Sequence, residues 1–390
     1  MISLPQEVLA NALNAVTRAS MKSSLMSVFA LVRLDASASG ELSLSCFNGE
    51  TAARAVVYAA CNDDLSACVD AQTLKAVTDT LVGEVRLELV DKALVLLNGS
   101  HRTTLRIVEE TIPVIGGEAT RDLFTLSGVS LRSLARVLPF ASSDDSRPGL
   151  QVLHLTVSEQ GVIAQAADGF TAGIVSEKLV EANEKTAVSL PINFARLLAA
   201  LVEDKDTVKV QSVGDNRFLF HLTQSGTGKN LILATVAPAN AFPAEQLAQL
   251  LQGAHASTTT RMTLQKQAML QTVKMVGAMG TQNTFLKVTN GAIKVASAPT
   301  DTGQARNVLD GAATGSDARI WLSAAYLKRA VDACKAELAV QLGGEKKPIL
   351  FIEGNFTGIL MPLFVEGKDP FADEDEPIAI SLPVLETALA

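Results

Sequence analysis

Ser225-Gly-Thr-Gly-Lys229 gathers a lysine, two glycines and two hydroxyls into five residues, the materials of a loop that cradles phosphate. A working loop of that kind needs a glycine where Thr223 stands and a Ser or Thr where Asn230 stands. Flanked by the alternating segments Phe218-Leu-Phe-His-Leu222 and Leu231-Ile-Leu, the stretch reads instead as a hairpin loop. The histidines, His101, His154, His221 and His255, are scattered, and Cys46, Cys61, Cys68 and Cys334 show no CxxC spacing. Neither a zinc site nor a disulfide framework is indicated, and the cysteines read as small buried hydrophobes. With no Gly-x-Ser-x-Gly, paired-histidine motif or carboxylate cluster, the chain reads as non-catalytic, with no cofactor and no metal expected.

A different chemistry is suggested by cations at helical spacing. Arg132 and Arg136 stand at i and i+4 and Lys328 and Lys335 at i and i+7, spacings that put side chains on one helix face. Overall charge speaks against nucleic acid at first sight: 33 Lys and Arg face 41 Asp and Glu, a net charge of -8, and the pI is near 5.2. Residues 366–390, however, hold seven acidic side chains and one lysine, which leaves residues 1–365 close to neutral. Aromatic residues are 4% of the chain, too few for a surface that stacks unpaired bases. Apolar residues are 48% and charged ones 19%, which excludes a disordered chain. No basic leader and no apolar run of about 18 residues is present, so a soluble, cytoplasmic protein is expected.

The elements that must carry these residues come as an internal repeat. Gly40 to Val57 and Gln160 to Val175 each read as alternating strand, Asn48-Gly49 or Asp168-Gly169 turn, and second strand, with the turns about 120 residues apart. A third copy is Phe285 to Val295 around Asn290-Gly291. Ahead of each lies a helical pattern: Glu7 to Val16 with Leu9, Leu13 and Val16 on one face; Leu131 to Leu138 with Leu131, Leu134 and Leu138; and Leu264 to Val273. Behind each lies a second helix, Ala71 to Val82, Asn193 to Val202 and Ala324 to Cys334. An alternating strand follows each of these, and closing strands are expected at Thr104 to Val108, Leu231 to Thr235 and Gly358 to Val365. Turn formers around Gly116 to Asp122 and Gly253 to Thr260 place domains at 1–122, 123–250 and 251–365, with a tail at 366–390.

Three helix-plus-sheet repeats, the Ala167-Asp168-Gly169-Phe170 turn, Ala241-Phe242-Pro243, and Leu360-Met361-Pro362-Leu363 together resemble the bacterial DNA sliding clamp, the beta subunit of DNA polymerase III. The resemblance covers residues 1 to about 365. It implies an α+β clamp fold of three repeated domains, each of two helix-on-sheet subdomains, forming half of a closed ring that a second copy completes head to tail. It also implies a processivity factor that slides on double-stranded DNA without reading sequence and recruits a polymerase catalytic subunit, a clamp loader and other proteins bearing a clamp-binding motif.

On that footing the DNA-facing candidates are Arg18, Lys22, Arg132, Arg136, Arg147, Lys266, Lys274, Lys328 and Lys335. Asn11 and Asn14 share the face of Arg18, and Lys75 and Arg196 are the only obvious cations on the second and fourth helices. Taken singly, each cation equally fits a solvated helix face. The positions matching the family's peptide pocket are Leu150, Ala167, Gly169, Phe170, Thr171, Ala172, Leu247, Leu250, Ile359, Leu360, Met361, Pro362, Leu363 and Phe364, with an interdomain core as the plain alternative. Two departures remove a cation: Thr171 stands where the family usually has a basic residue, and Phe364 where an Arg often follows. Thr103, Leu105, Val273 and Met275 match the dimer interface, or are simply core. A clamp-like scaffold that binds partners with weak or no DNA tethering is the alternative to the whole reading. The tail, acidic and proline-bracketed over Asp369 to Pro377, reads as solvated and flexible, and the apolar spacing of Ile380 to Leu389 could form a short helix, with docking of this end onto the ring or its own pocket as the alternative to simple disorder.

Overall fold

The computed structural model describes residues 1–22, 27–110, 112, 121–214, 216–365 and 369–372. Seven α-helices lie among them: α1 (Gln6–Val16), α2 (Ala71–Thr80), α3 (Gly128–Leu134), α4 (Ile192–Leu201), α5 (Ala244–Ala256), α6 (Lys266–Ala278) and α7 (Ala324–Ala333). The chain divides into two compact units, Met1–Ala244 and Glu245–Ala390. The first holds two of the expected helix-pair repeats, α1 with α2 and α3 with α4, and the second holds α6 with α7.

The helices form where apolar spacing demands them. In α1, Leu9, Leu13 and Val16 are fully buried while Asn11 and Asn14 are exposed, and Arg18 is exposed on the 3-10 turn Thr17–Ala19 that prolongs the helix. α3 is shorter than its apolar pattern suggests. It stops at Leu134 and continues as a 3-10 turn, Ala135–Phe140, because Pro139 lacks an N–H and its ring crowds the carbonyl four residues back. α5 was not foreseen, and its last turn takes in Gly253, one of the boundary signals. Pro243 immediately precedes its first residue and Glu245 lies in its first turn, both residue types that favour a helix start.

In the first unit a five-stranded sheet runs in the order 60–61, 2–5, 84–90, 93–98, 101–106. A nine-stranded sheet joins the two repeats, with Leu231–Thr235 antiparallel to Ala55–Thr51. Strands 186–191, 152–158, 161–167 and 171–177 lie side by side. In the second unit a four-stranded sheet has the order 306–309, 292–297, 283–289, 318–323, and a further row runs 356–360, 349–353, 337–342, 260–265, 311–315.

Turn chemistry distinguishes the three copies. Asn48 Oδ1 accepts the N–H groups of Glu50 and Thr51, and Asp168 Oδ1 accepts those of Phe170 and Thr171. Gly49 and Gly169, at φ 96° and 94°, take the left-handed position both turns need. The third turn instead puts Asn290 and Gly291 both at positive φ, the primed two-residue form. The last strand is Phe356–Leu360 and does not reach Val365, since Pro362 cannot donate to the ladder. Leu363 then bridges to Trp321, its N–H donating to the Trp321 carbonyl at 2.7 Å.

Candidate functional site

α1 presents its polar face to a groove of about 740 Å³ in the first unit. Asn11, Asn14 and Arg18 line one wall, and the turn between strands 217–224 and 229–236 lines another through Thr227, Gly228 and Lys229. The Ser225–Lys229 segment is thus a hairpin loop, and it lines the same groove as the polar face of α1 and Arg18. Lys229 is the residue that sequence reasoning missed. Its ammonium is not free: Nζ lies 2.6 Å from Asp206 Oδ2, whose side chain is fully buried, and 3.3 Å from Glu203 Oε1, and it donates to the Leu201 carbonyl at 3.2 Å. This lysine ties the end of α4 to the hairpin and adds little net positive field.

Other predicted cations divide in the same way. Lys22 is exposed beyond α1, and Lys274 is exposed on α6. Arg132 is exposed but pairs with Asp204 at 3.2 Å. Arg136 is half-buried on the 3-10 turn, where the α-helical i, i+4 register with Arg132 no longer holds. Lys266 is half-buried and donates to the carbonyls of Asp332 and Cys334, closing the C-terminal end of α7. Lys328 pairs with Asp332 on α7. Lys335 does not share that helix: α7 ends at Ala333, and the Lys335 N–H donates to Glu353 Oε1 at 2.8 Å. Arg196 on α4 is exposed, and Lys75 on α2 pairs with Asp79 at 2.8 Å.

Arg147 belongs to the Asp168-Gly169 turn. Its Nη1 donates to the Asp168 carbonyl at 3.2 Å and its guanidinium lies over the Phe170 ring, 5.8 Å from the centroid. Nearby Asp144, 3.7 Å from Arg147 Nε, accepts from Ser146, which with the arginine holds its carboxyl below the usual range. Beside this turn Phe170 is 46% exposed, Leu150 is half-buried, and Ala167 and Ala172 are buried. Thr171 faces inward: it is 3% exposed and its Oγ1 donates to Asp168 Oδ1, so it braces the turn and does not line a groove.

In the second unit Leu247 on α5 is buried and Leu250 is exposed. Ile359 and Leu360 are core residues at 1% and 0% exposure and offer no surface. Met361 and Leu363 are half-buried, Pro362 is buried, and Phe364 is 77% exposed. Of the interface candidates, Thr103 and Leu105 lie on the edge strand His101–Arg106, which among the described residues pairs only with strand 93–98. Met275 is half-buried, whereas Val273 is 5% exposed and packs inside its unit.

The first part of the tail departs most from expectation. Asp369 and Phe371 are not solvated: Phe371 is 1% exposed in a cluster with Phe285, Ala296 and Trp321, and Asp369 Oδ2 lies 3.1 Å from Nζ of the fully buried Lys287. Apolar contact and a paired buried charge outweigh the acidic composition here. The expected helix at 380–389 lies outside the described residues. Among the described residues no group of three His, Cys, Asp or Glu side chains is placed to hold a metal, and no helix is long and apolar enough to cross a membrane. Cys46, Cys68 and Cys334 are buried and Cys61 is half-buried, and burial raises the thiol pKa of Cys46, Cys61 and Cys68 above its usual value, most at Cys46.

Helix pairs repeated three times on antiparallel sheets, with strand His101–Arg106 at a sheet edge among the described residues and a polar α1 face, make this the fold of the bacterial DNA polymerase sliding clamp. The DNA polymerase sliding clamp of Bacillus subtilis superposes with a TM-score of 0.82 at 14% identity, over 93% of this chain and 99% of that one. The beta subunit from DNA polymerase of Streptococcus pyogenes gives 0.83 at 19%, over 93% and 100%. The DNA polymerase III beta subunit of Thermotoga maritima gives 0.82 at 16%, over 93% and 99%. No protein-family model and no curated protein matches the chain.

Proposed function

We propose that this protein is a non-catalytic processivity clamp, a head-to-tail homodimeric ring that encircles duplex DNA in the cytoplasm and holds a polymerase on it. The observation that carries this reading is the likeness to sliding clamps over 93% of the chain and essentially the whole of theirs. The strand His101–Arg106, at the edge of its sheet among the described residues, is the place for a second copy to add a strand in ring closure. Arg18, Lys22, Lys274 and Arg196 are the exposed cations best suited to loose phosphate contact. Phe170 in the first unit offers exposed apolar surface to a partner's linear peptide, as do Leu250, Met361, Leu363 and Phe364 in the second, and the clamp loader and polymerase would dock through such a motif. The test is loading onto nicked circular DNA by a clamp loader: a topological tether stays bound until linearisation releases it. Retention that ignores linearisation, or a monomeric mass at micromolar concentration, would overturn the clamp.

A second reading, a partner-binding scaffold with weak DNA tethering, draws on the neutralised cations. Arg132, Lys328 and Lys229 are each ion-paired and Lys266 is spent on a helix end. In the loading experiment the scaffold predicts no retained protein before linearisation.

A further inference from the structure

On one face of the four-stranded sheet in the second unit, three cations stand side by side on adjacent strands. Lys287 is directly opposite Lys294 on one neighbour and opposite Arg319 on the other. Like charges in register across strands destabilise a sheet, and Lys287 is in addition 0% exposed. Two residues along, the next row on this face reads Arg306, Ala296, Phe285, Trp321, so an aromatic pair with ring centroids 4.8 Å apart borders the cationic row. A sheet laid out this way is stable when an anion covers the first row and an apolar group the second.

The chain supplies both from one short segment. Asp369 Oδ2 lies 3.1 Å from Lys287 Nζ and 3.5 Å from Arg319 Nε. Two residues on, Phe371 packs against Phe285 at 6.5 Å between centroids, with Lys294 Nζ 5.5 Å and the Arg306 guanidinium 5.7 Å from its own ring centre. Pro370 between them sits in a turn that the Ala372 N–H closes by donating to the Asp369 carbonyl at 3.1 Å, and Asp369 Oδ1 accepts the Phe371 N–H at 2.8 Å. We propose that this sheet face is a second peptide-acceptor site, selective for an acidic residue followed two positions later by an aromatic one, and that the chain's own Asp369-Pro-Phe371 segment fills it in cis. The site adjoins, through Leu363, the apolar surface assigned above to polymerase motifs, and it does not depend on the clamp reading. Peptides with the same Asp-x-Phe chemistry gain the site when the tail vacates it. Leu363 and Val365 pack on the same cluster.

Trp321 is the only tryptophan and sits in the site, so its fluorescence reports occupancy directly. In the full-length chain carrying Asp369→Asn and Phe371→Ala, Trp321 emission is expected to shift to the red. A fluorescein-labelled synthetic peptide spanning residues 366–377 should bind this variant at least tenfold more tightly than it binds the unaltered chain. Adding Lys287→Met should abolish that binding, as should Asn and Ala at the two anchor positions of the peptide. If the double variant does not fold, the single variant Asp369→Asn with the same peptide gives the same comparison at reduced amplitude, and the unaltered chain at millimolar peptide should still show a change in Trp321 emission. A folded variant that binds no peptide, or binds it equally well with Met at position 287, overturns the acceptor site. Equal binding by variant and unaltered chain overturns its occupation in cis.

Discussion

Removing the ammonium of Lys229 tests whether the hairpin beside α1 is held by a buried charge or merely decorated by one. At 2.6 Å from Asp206 Oδ2, the attraction is about 6 kcal/mol at an effective dielectric constant of about 20. Desolvating the two ions opposes it by several kcal/mol each, so the pair as a whole contributes little. Lys229→Met removes the attraction but keeps the burial of Asp206, whose side chain has no exposed surface. The expected loss is about 3 kcal/mol, the low end for breaking a buried pair, because 19% of the lysine side chain is exposed and water can partly follow. Asp206→Asn should cost less, about 1 kcal/mol: the amide oxygen still accepts the Glu203 N–H, and Lys229 keeps Glu203 and the Leu201 carbonyl. The double variant should be more stable than Lys229→Met alone. Urea unfolding followed by circular dichroism, compared at constant m-value, reads all three. A Lys229→Met variant within about 0.5 kcal/mol of the parent, the range of ordinary surface changes, would refute the reasoning, as would a double variant no better than the single.

Three further outcomes follow from the same geometry. Gly128→Ala should destabilise by about 3 kcal/mol or more, since its Cβ would sit 1.8 Å from the Glu203 carbonyl oxygen of the backbone, and a melting curve unchanged by it would contradict the packing of α3 on that loop. Burial lowers the pKa of His154, stacked 5.1 Å from the Phe242 ring, below its usual 6.5. The unfolded chain therefore binds the proton more readily, so this histidine's contribution is intact above about pH 6.5 and is lost as pH falls towards its folded value; His154→Gln should flatten stability over that window. For DNA retention, Arg18→Ala should reduce the slope of log K against log salt by about 0.9, one phosphate contact, whereas Lys266→Ala should lower thermal stability and leave the slope unchanged, a distinction that a salt titration of retained protein measures.

Much of the fold was legible because its signals are local. The stripe Leu9, Leu13, Val16 announces α1, and Asn48-Gly49 and Asp168-Gly169 announce hairpins that form with the Asx hydrogen bonds and positive φ those residue pairs favour. The candidate site was legible only by half. Exposure of Asn11, Asn14 and Arg18 follows from helical phase, but the use of Lys266 to close α7, or of Arg147 to hold the Asp168 turn, depends on groups 66 and 21 residues away. Thr171 matches a position of the family's peptide pocket, yet its hydroxyl turns to Asp168, a choice that rests on which face of strand 171–177 meets the core.

By itself the sequence determined the threefold order of helices and hairpins, because propensity, capping and turn geometry act within about ten residues. Tertiary structure decided which charges remain available and where the tail goes. Asp369 reads as solvated in a sequence of acidic neighbours, and it is bound because folding brings Lys287 and Arg319 together on adjacent strands and buries the lysine completely. A charge is tolerated in that place only with its partner, and the partner lies 82 residues away in the chain.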